Sequence, residues 1–116
     1  MKKNYQKGEV VDVNLGEIQN EVKGHEQGNL RPCIIIKPFT ILELAVIIPC
    51  TTKEPPNSIY TIVKLSKGNS GLTMDSYALC HQIRVISFDR ITSLRGKIDP
   101  TDFLKIKSVV IDMLEN

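Results

Sequence analysis

Two short, unbroken aliphatic runs limit most tightly how this chain can fold. Cys33-Ile34-Ile35-Ile36 and Leu44-Ala45-Val46-Ile47-Ile48 contain no polar residue. Both are rich in β-branched side chains and too short for a typical helix, so they read as central strands buried on both faces. Proline breaks a strand ladder, so Pro32 and Pro49 are expected at the ends of these strands. Even the longer run, Leu44 to Ile48, is far too short to span a bilayer. Met1 to Lys7 carries charge with no apolar stretch after it, so no secretory signal is expected.

Around these runs the pattern stays that of a sheet. Val11, Val13 and Leu15 alternate with Asp12 and Asn14, the period of a half-buried strand. Gly16 to Leu30 has no periodicity and reads as a long loop, a length that usually serves function. Thr51 to Ser58 is a second loop built from turn formers. Ile59 to Leu65 is β-branched and predicts a further strand, Lys67 to Gly71 a turn. Tyr77 to Cys80 and Gln82 to Phe88 predict two more short strands or one bent strand. The period then changes. Asp99-Pro100 supplies a helix N-cap followed by proline at the first helical position. Phe103, Ile106, Val110, Met113 and Leu114 follow on one helical stripe. The expected fold is mainly β with a C-terminal helix (α+β), a small SH3-like, partly open antiparallel barrel of five or six strands. With 116 residues, 41% hydrophobic and 24% charged, the chain fits one domain spanning 1–116.

The chain lacks a P-loop, GxGxxG and HExxH. His25 and His81 have no partner at metal-ligand spacing, so no metal and no other cofactor is expected. Cys33, Cys50 and Cys80 are odd in number, lack a CxxC and lie in or beside apolar runs. They read as buried free thiols in a reducing cytoplasm. The net charge of +2 rules out a polybasic coat but permits a local positive groove. From Arg84 to Lys107 six bases face three acids, Asp89, Asp99 and Asp102.

Chemistry is left to three polar groups at strand ends. Arg31-Pro32 follows Gly24-His25-Glu26-Gln27-Gly28 where loop meets sheet. A guanidinium there can hold a phosphate through two parallel hydrogen bonds or pin the loop by pairing with Glu26. Thr51-Thr52-Lys53 follows the second buried strand, and its hydroxyls suit phosphate oxygens or ordinary turn chemistry. His81-Gln82 with Arg84 lies between two apolar segments.

Together these groups resemble the MazF/PemK toxin family. Lys7-Gly8-Glu9-Val10-Val11 is similar to its opening strand, and Gly24 through Pro32 to its G-x-E-Q-x-G-x-R-P signature, with Gly28 directly after Gln27. Ile48-Pro49-Cys50-Thr51-Thr52-Lys53 is similar to its P-x-T-T segment. Gly71-Leu72 and Asp75 through Arg84 are similar to its D-S-x-x-x-x-x-Q-x-R segment. The resemblance implies a homodimeric, metal-independent endoribonuclease that cuts single-stranded RNA, neutralised by a cognate antitoxin protein. It carries catalytic roles to Arg31 and Thr51. His81 stands where some relatives keep a catalytic aspartate, and Leu79 where the same relatives keep arginine. With a reference pKa near 6.5, His81 is the third expected catalytic residue, the proton carrier. His25, Glu26, Gln27, Thr52, Lys53, Gln82 and Arg84 are the expected RNA-binding residues, with Tyr60, Tyr77 and Phe39 the aromatic candidates for base stacking. No membrane partner is expected. The competing reading is a non-catalytic toxin or RNA-binding module on the same fold, the toxin acting by protein contact as gyrase poisons do.

Overall fold

The computed structural model of the chain describes residues 4–16, 30–65 and 70–116. Seven strands form one antiparallel sheet: β1 (Glu9–Asn14), β2 (Leu30–Phe39), β3 (Leu44–Thr51), β4 (Ile62–Leu65), β5 (Ser76–Leu79), β6 (Arg84–Ser87) and β7 (Ile91–Lys97). One helix, α1 (Pro100–Glu115), closes the described chain. The strand order is β4-β5-β3-β2-β1-β7, with β6 paired to the first half of β3. The two end strands are not joined, so the barrel stays open as expected.

The aliphatic runs are central because both their faces are covered. Ile34 and Ile48 point into one core with Val10, Ile98 and Ile106, and Phe103, Val109, Val110 and Met113 of α1 pack against it. Cys33, Ile35 and Ile47 point into a second core on the opposite face, with Val11, Val13, Ile86, Phe88 and Ile91. Consecutive residues therefore alternate between two apolar environments, which removes the polar alternation of a half-exposed strand. Tyr5 closes the second core edge-on to Phe88, with ring centroids 4.8 Å apart.

Several expectations change. Pro32 and Pro49 lie within β2 and β3 rather than at their ends. Each falls where the ladder on one side is interrupted. Pairing of β2 with β3 begins at Cys33, and β3 exchanges β6 for β5 between Ile47 and Cys50. The missing N–H therefore costs little. The strand expected from Ile59 starts only at Ile62, because the Ile62 amide closes a turn onto the Ile59 carbonyl. The segment 76–88 forms two strands, separated by a turn at Cys80–Gln82. β7 is an additional strand, so the sheet has seven rather than five or six. Its polar, mostly exposed sequence ITSLRGK lacks the apolar period that marks a strand. Helix α1 begins where expected, but Asp99 makes no side-chain cap, and Leu114 is 79% exposed rather than on the buried stripe.

Candidate functional site

Strand register places the first two functional side chains side by side. Cys33 on β2 pairs with Pro49 on β3, and one further two-residue step in that register sets Arg31 opposite Thr51. Both share the parity of Cys33, Ile35 and Ile47, so they extend the second core's face towards its solvent end. Arg31 also neighbours Val13 on β1, and Thr51 neighbours Tyr77 on β5.

Beyond Thr51 the chain turns, and the Lys53 amide donates to Thr51 Oγ1 at 3.1 Å. That bond uses the hydroxyl as acceptor and leaves its proton available to a phosphate oxygen. The turn carries Glu54, Pro55, Pro56 and Ile59 over the sheet. An open depression of about 310 Å³ results, lined by Arg31, Thr51, Lys53, Glu54, Pro55, Pro56, Ile59, Ile62, Leu79 and Gln82. Among the described residues, neither Arg31 nor Lys53 enters a salt bridge. Two cations, one carboxylate and a hydroxyl thus line one hollow with apolar neighbours, which leaves it one net positive charge.

Four of the expected site residues, Arg31, Thr51, Lys53 and Gln82, are brought together there. Thr52, His81 and Arg84 do not line the depression. Thr52 is exposed in the turn. Arg84, exposed on β6, pairs with Ile47 and so lies on the same sheet face as Arg31. The positive charges of both guanidiniums reach the thiol of Cys33, where they partly offset the effect of burial, which pushes its pKa up to about 12. His81 is exposed, with its Nδ1 2.9 Å from Thr61 Oγ1. The ring is thereby tethered to the turn before β4 rather than set beside Arg31. His25, Glu26 and Gln27, and with them the alternative pairing of Glu26 with Arg31, lie outside the described residues. Tyr60 and Phe39 stand away from the depression, and Tyr77 backs its neighbour.

Sequence reasoning did not single out Glu54, which lines the depression beside Pro55 and Pro56. Its place directly after Thr51-Thr52-Lys53 was the available signal. The other two thiols carry no chemistry here. Cys50 and Cys80 are buried and unpaired in disulfides, and burial pushes the Cys80 thiol up to about 11 and Cys50 higher still. No described helix is long and apolar enough to cross a membrane.

An open antiparallel sheet with one closing helix thus carries a cationic hollow at the ends of β2 and β3. The family model for the PemK-like, MazF-like toxins of type II toxin–antitoxin systems matches residues 6–114, and the chain belongs to that family. Solved structures agree in fold. An endoribonuclease in complex with its cognate antitoxin from a mycobacterial species superposes with a TM-score of 0.75 at 18% identity, covering 97% of this chain and 96% of that one. MazF from Deinococcus radiodurans superposes with 0.74 at 18% identity, covering 97% of each chain. The Mycobacterium tuberculosis toxin MazF-mt6 superposes with 0.70 at 15% identity, covering 92% of this chain and 96% of the other. No curated protein sequence matches significantly.

Proposed function

We propose that the chain is a sequence-specific endoribonuclease that cuts single-stranded RNA in the cytoplasm. It works without metal, as a homodimer, and is held inactive by a cognate antitoxin protein. The observation that carries this reading is the convergence of Arg31, Thr51, Lys53, Glu54 and Gln82 on one open hollow. RNA supplies its own nucleophile. The 2′-oxygen attacks the adjacent phosphorus, its proton passes to a base, the bond from phosphorus to the 5′-oxygen breaks, and that oxygen takes up a proton. The products are a 2′,3′-cyclic phosphate and a 5′-hydroxyl. DNA lacks the 2′-hydroxyl and is spared.

Arg31 stabilises the extra negative charge of the phosphorane through its fork of N–H donors. Thr51 donates its hydroxyl proton to a phosphate oxygen and fixes it in line. Among the described residues lining the hollow, Glu54 is the only carboxylate, and it suits the proton acceptor at the 2′-oxygen better than the tethered His81. Gln82, Lys53 and Arg84 hold the strand on either side, joined by His25, Glu26, Gln27 and Thr52 from the loops. The test is incubation of the purified chain with a long single-stranded RNA in EDTA, beside Arg31→Ala and a DNA control. Cuts bearing 5′-hydroxyl ends, lost in Arg31→Ala and absent on DNA, are expected. Intact RNA under a folded, dimeric chain sinks the nuclease and favours a toxin that acts by protein contact.

A further inference from the structure

The hollow at Arg31 does not end at Thr51. Tyr77, the partner of Thr51 on β5, is itself paired with Lys64 on β4. Residues paired across antiparallel strands share a face, so Thr51, Tyr77 and Lys64 form one row crossing β3, β5 and β4, with Arg31 of β2 beside Thr51 on the first hollow. A second depression, of about 350 Å³, lies over the far half of that row. It is lined by Glu54, Pro55, Pro56, Asn57, Ser58, Ile59, Ile62, Lys64 and Tyr77. Five of these residues, Glu54, Pro55, Pro56, Ile59 and Ile62, also line the first depression. The two hollows are thus neighbours separated by one wall, and each carries a cation at the sheet and apolar side chains on the loop.

We propose that the second depression is a nucleotide subsite, occupied by the residue of the RNA strand next to the cut, with Lys64 as its phosphate contact. This rests on the nuclease reading above. A strand laid along the row sets one phosphate over Arg31 and a later one over Lys64, three strand spacings or about 14 Å away. The base between them meets Tyr77, Ile59 and Ile62 as an apolar surface and the Asn57 amide and Ser58 hydroxyl as polar edges that can discriminate it. Lys64 is not locked away from this role. Among the described residues its one ion pair, with Asp75 at 3.8 Å, joins two side chains that are 64% and 55% exposed, so water already screens it and a phosphate can displace it.

The experiment uses the full chain, wild type beside Lys64→Ala and Lys64→Arg. Cut positions on a long RNA are mapped first. Binding is then followed by fluorescence anisotropy of a 2′-O-methyl oligonucleotide bearing the mapped sequence, which cannot be cut. Lys64→Ala is expected to weaken binding about tenfold, a loss of about 1.4 kcal/mol. It should also flatten the plot of log affinity against log salt by about 0.7, the loss of one phosphate contact on a single strand. Lys64→Arg should restore both, with melting temperatures unchanged. In the same series, Asn57→Ala is expected to relax the preference at one position flanking the cut. A wild type that cuts RNA while Lys64→Ala keeps its affinity and salt slope overturns the subsite alone. A wild type that neither binds nor cuts overturns the nuclease reading with it.

Discussion

Arg31 and Thr51 were legible from sequence because each sits where an aliphatic run meets a polar loop. Strand register then brings such positions together whatever the loops do. Glu54 and His81 were not, since their placement depends on how a proline-rich turn and a single short helical turn fold back. The proposed mechanism puts the proton acceptor at Glu54 rather than His81, and that choice is testable. Glu54→Gln keeps the shape and removes the proton acceptor, so cutting should fall about a hundredfold or more. His81→Gln should lower it less than about threefold and leave the pH–rate profile intact, because a tethered ring outside the hollow moves no proton in the reaction. A loss of about a hundredfold in His81→Gln, with the fold intact, would return the histidine to the mechanism.

The thiols were also readable as buried, and their consequence lies in stability. Burial raises Cys33 from its ordinary value of 9.0 to about 12 and Cys80 to about 11, because a thiolate loses hydration in an apolar core. A raised folded-state pKa means that the folded chain holds the neutral thiol more tightly than the unfolded chain does. The stabilisation is complete below pH 9 and fades as pH climbs through 11 to 12, by about 1.4 kcal/mol per pH unit for each thiol at most. Denaturant melts from pH 8 to pH 11 should show this decline. Its slope should shrink in Cys80→Ala, even though that variant starts less stable. An unchanged slope would mean that the thiols are not what titrates.

At the scale of elements, β2, β3 and α1 declare themselves by apolar pattern, whereas β7 is held by polar contacts that no periodicity announces. Asp12 on β1 accepts from Ser93 Oγ at 2.6 Å and from Arg95 Nε at 2.9 Å, and its carbonyl accepts from Thr92 Oγ1. Arg95 in turn approaches Gly71, whose φ of +79° belongs to glycine and whose missing Cβ would run into the Arg95 carbonyl. One carboxylate therefore fixes an exposed edge strand and, through it, the loop that leads into β5. The Asp12 side chain is only 17% exposed, but its donors Ser93 and Arg95 stand on the exposed strand, where water can take up the partners that its loss releases. Asp12→Ala should cost about 1 kcal/mol in chemical unfolding, with hydrogen exchange rising first in β7 and residues 70–72. A uniform loss across the sheet would show that Asp12 supports the core and not the edge.

At the scale of the whole molecule, two kinds of surface are set against each other. Ile41, Leu42, Leu104 and Leu114 are 95%, 66%, 63% and 79% exposed, a large aliphatic outlay for a chain of 116 residues. Apolar side chains in such number argue for a partner surface, which the homodimer reading supplies. The cations Arg31, Lys53, Lys64 and Arg84 are instead the proposed phosphate contacts. The two associations should answer differently to salt, since counterion release governs only the second. Sedimentation of the full chain is expected at twice the 13.0 kDa chain mass, unchanged when salt rises from about 50 to about 200 mM. Over the same range the affinity for the uncut oligonucleotide should fall roughly twentyfold, as for three phosphate contacts on a single strand. A dimer that dissociates in parallel with the RNA would mean that charge joins the subunits. A monomer at every salt would remove the second copy from the proposed function and leave the hollow of one chain to bind the strand alone.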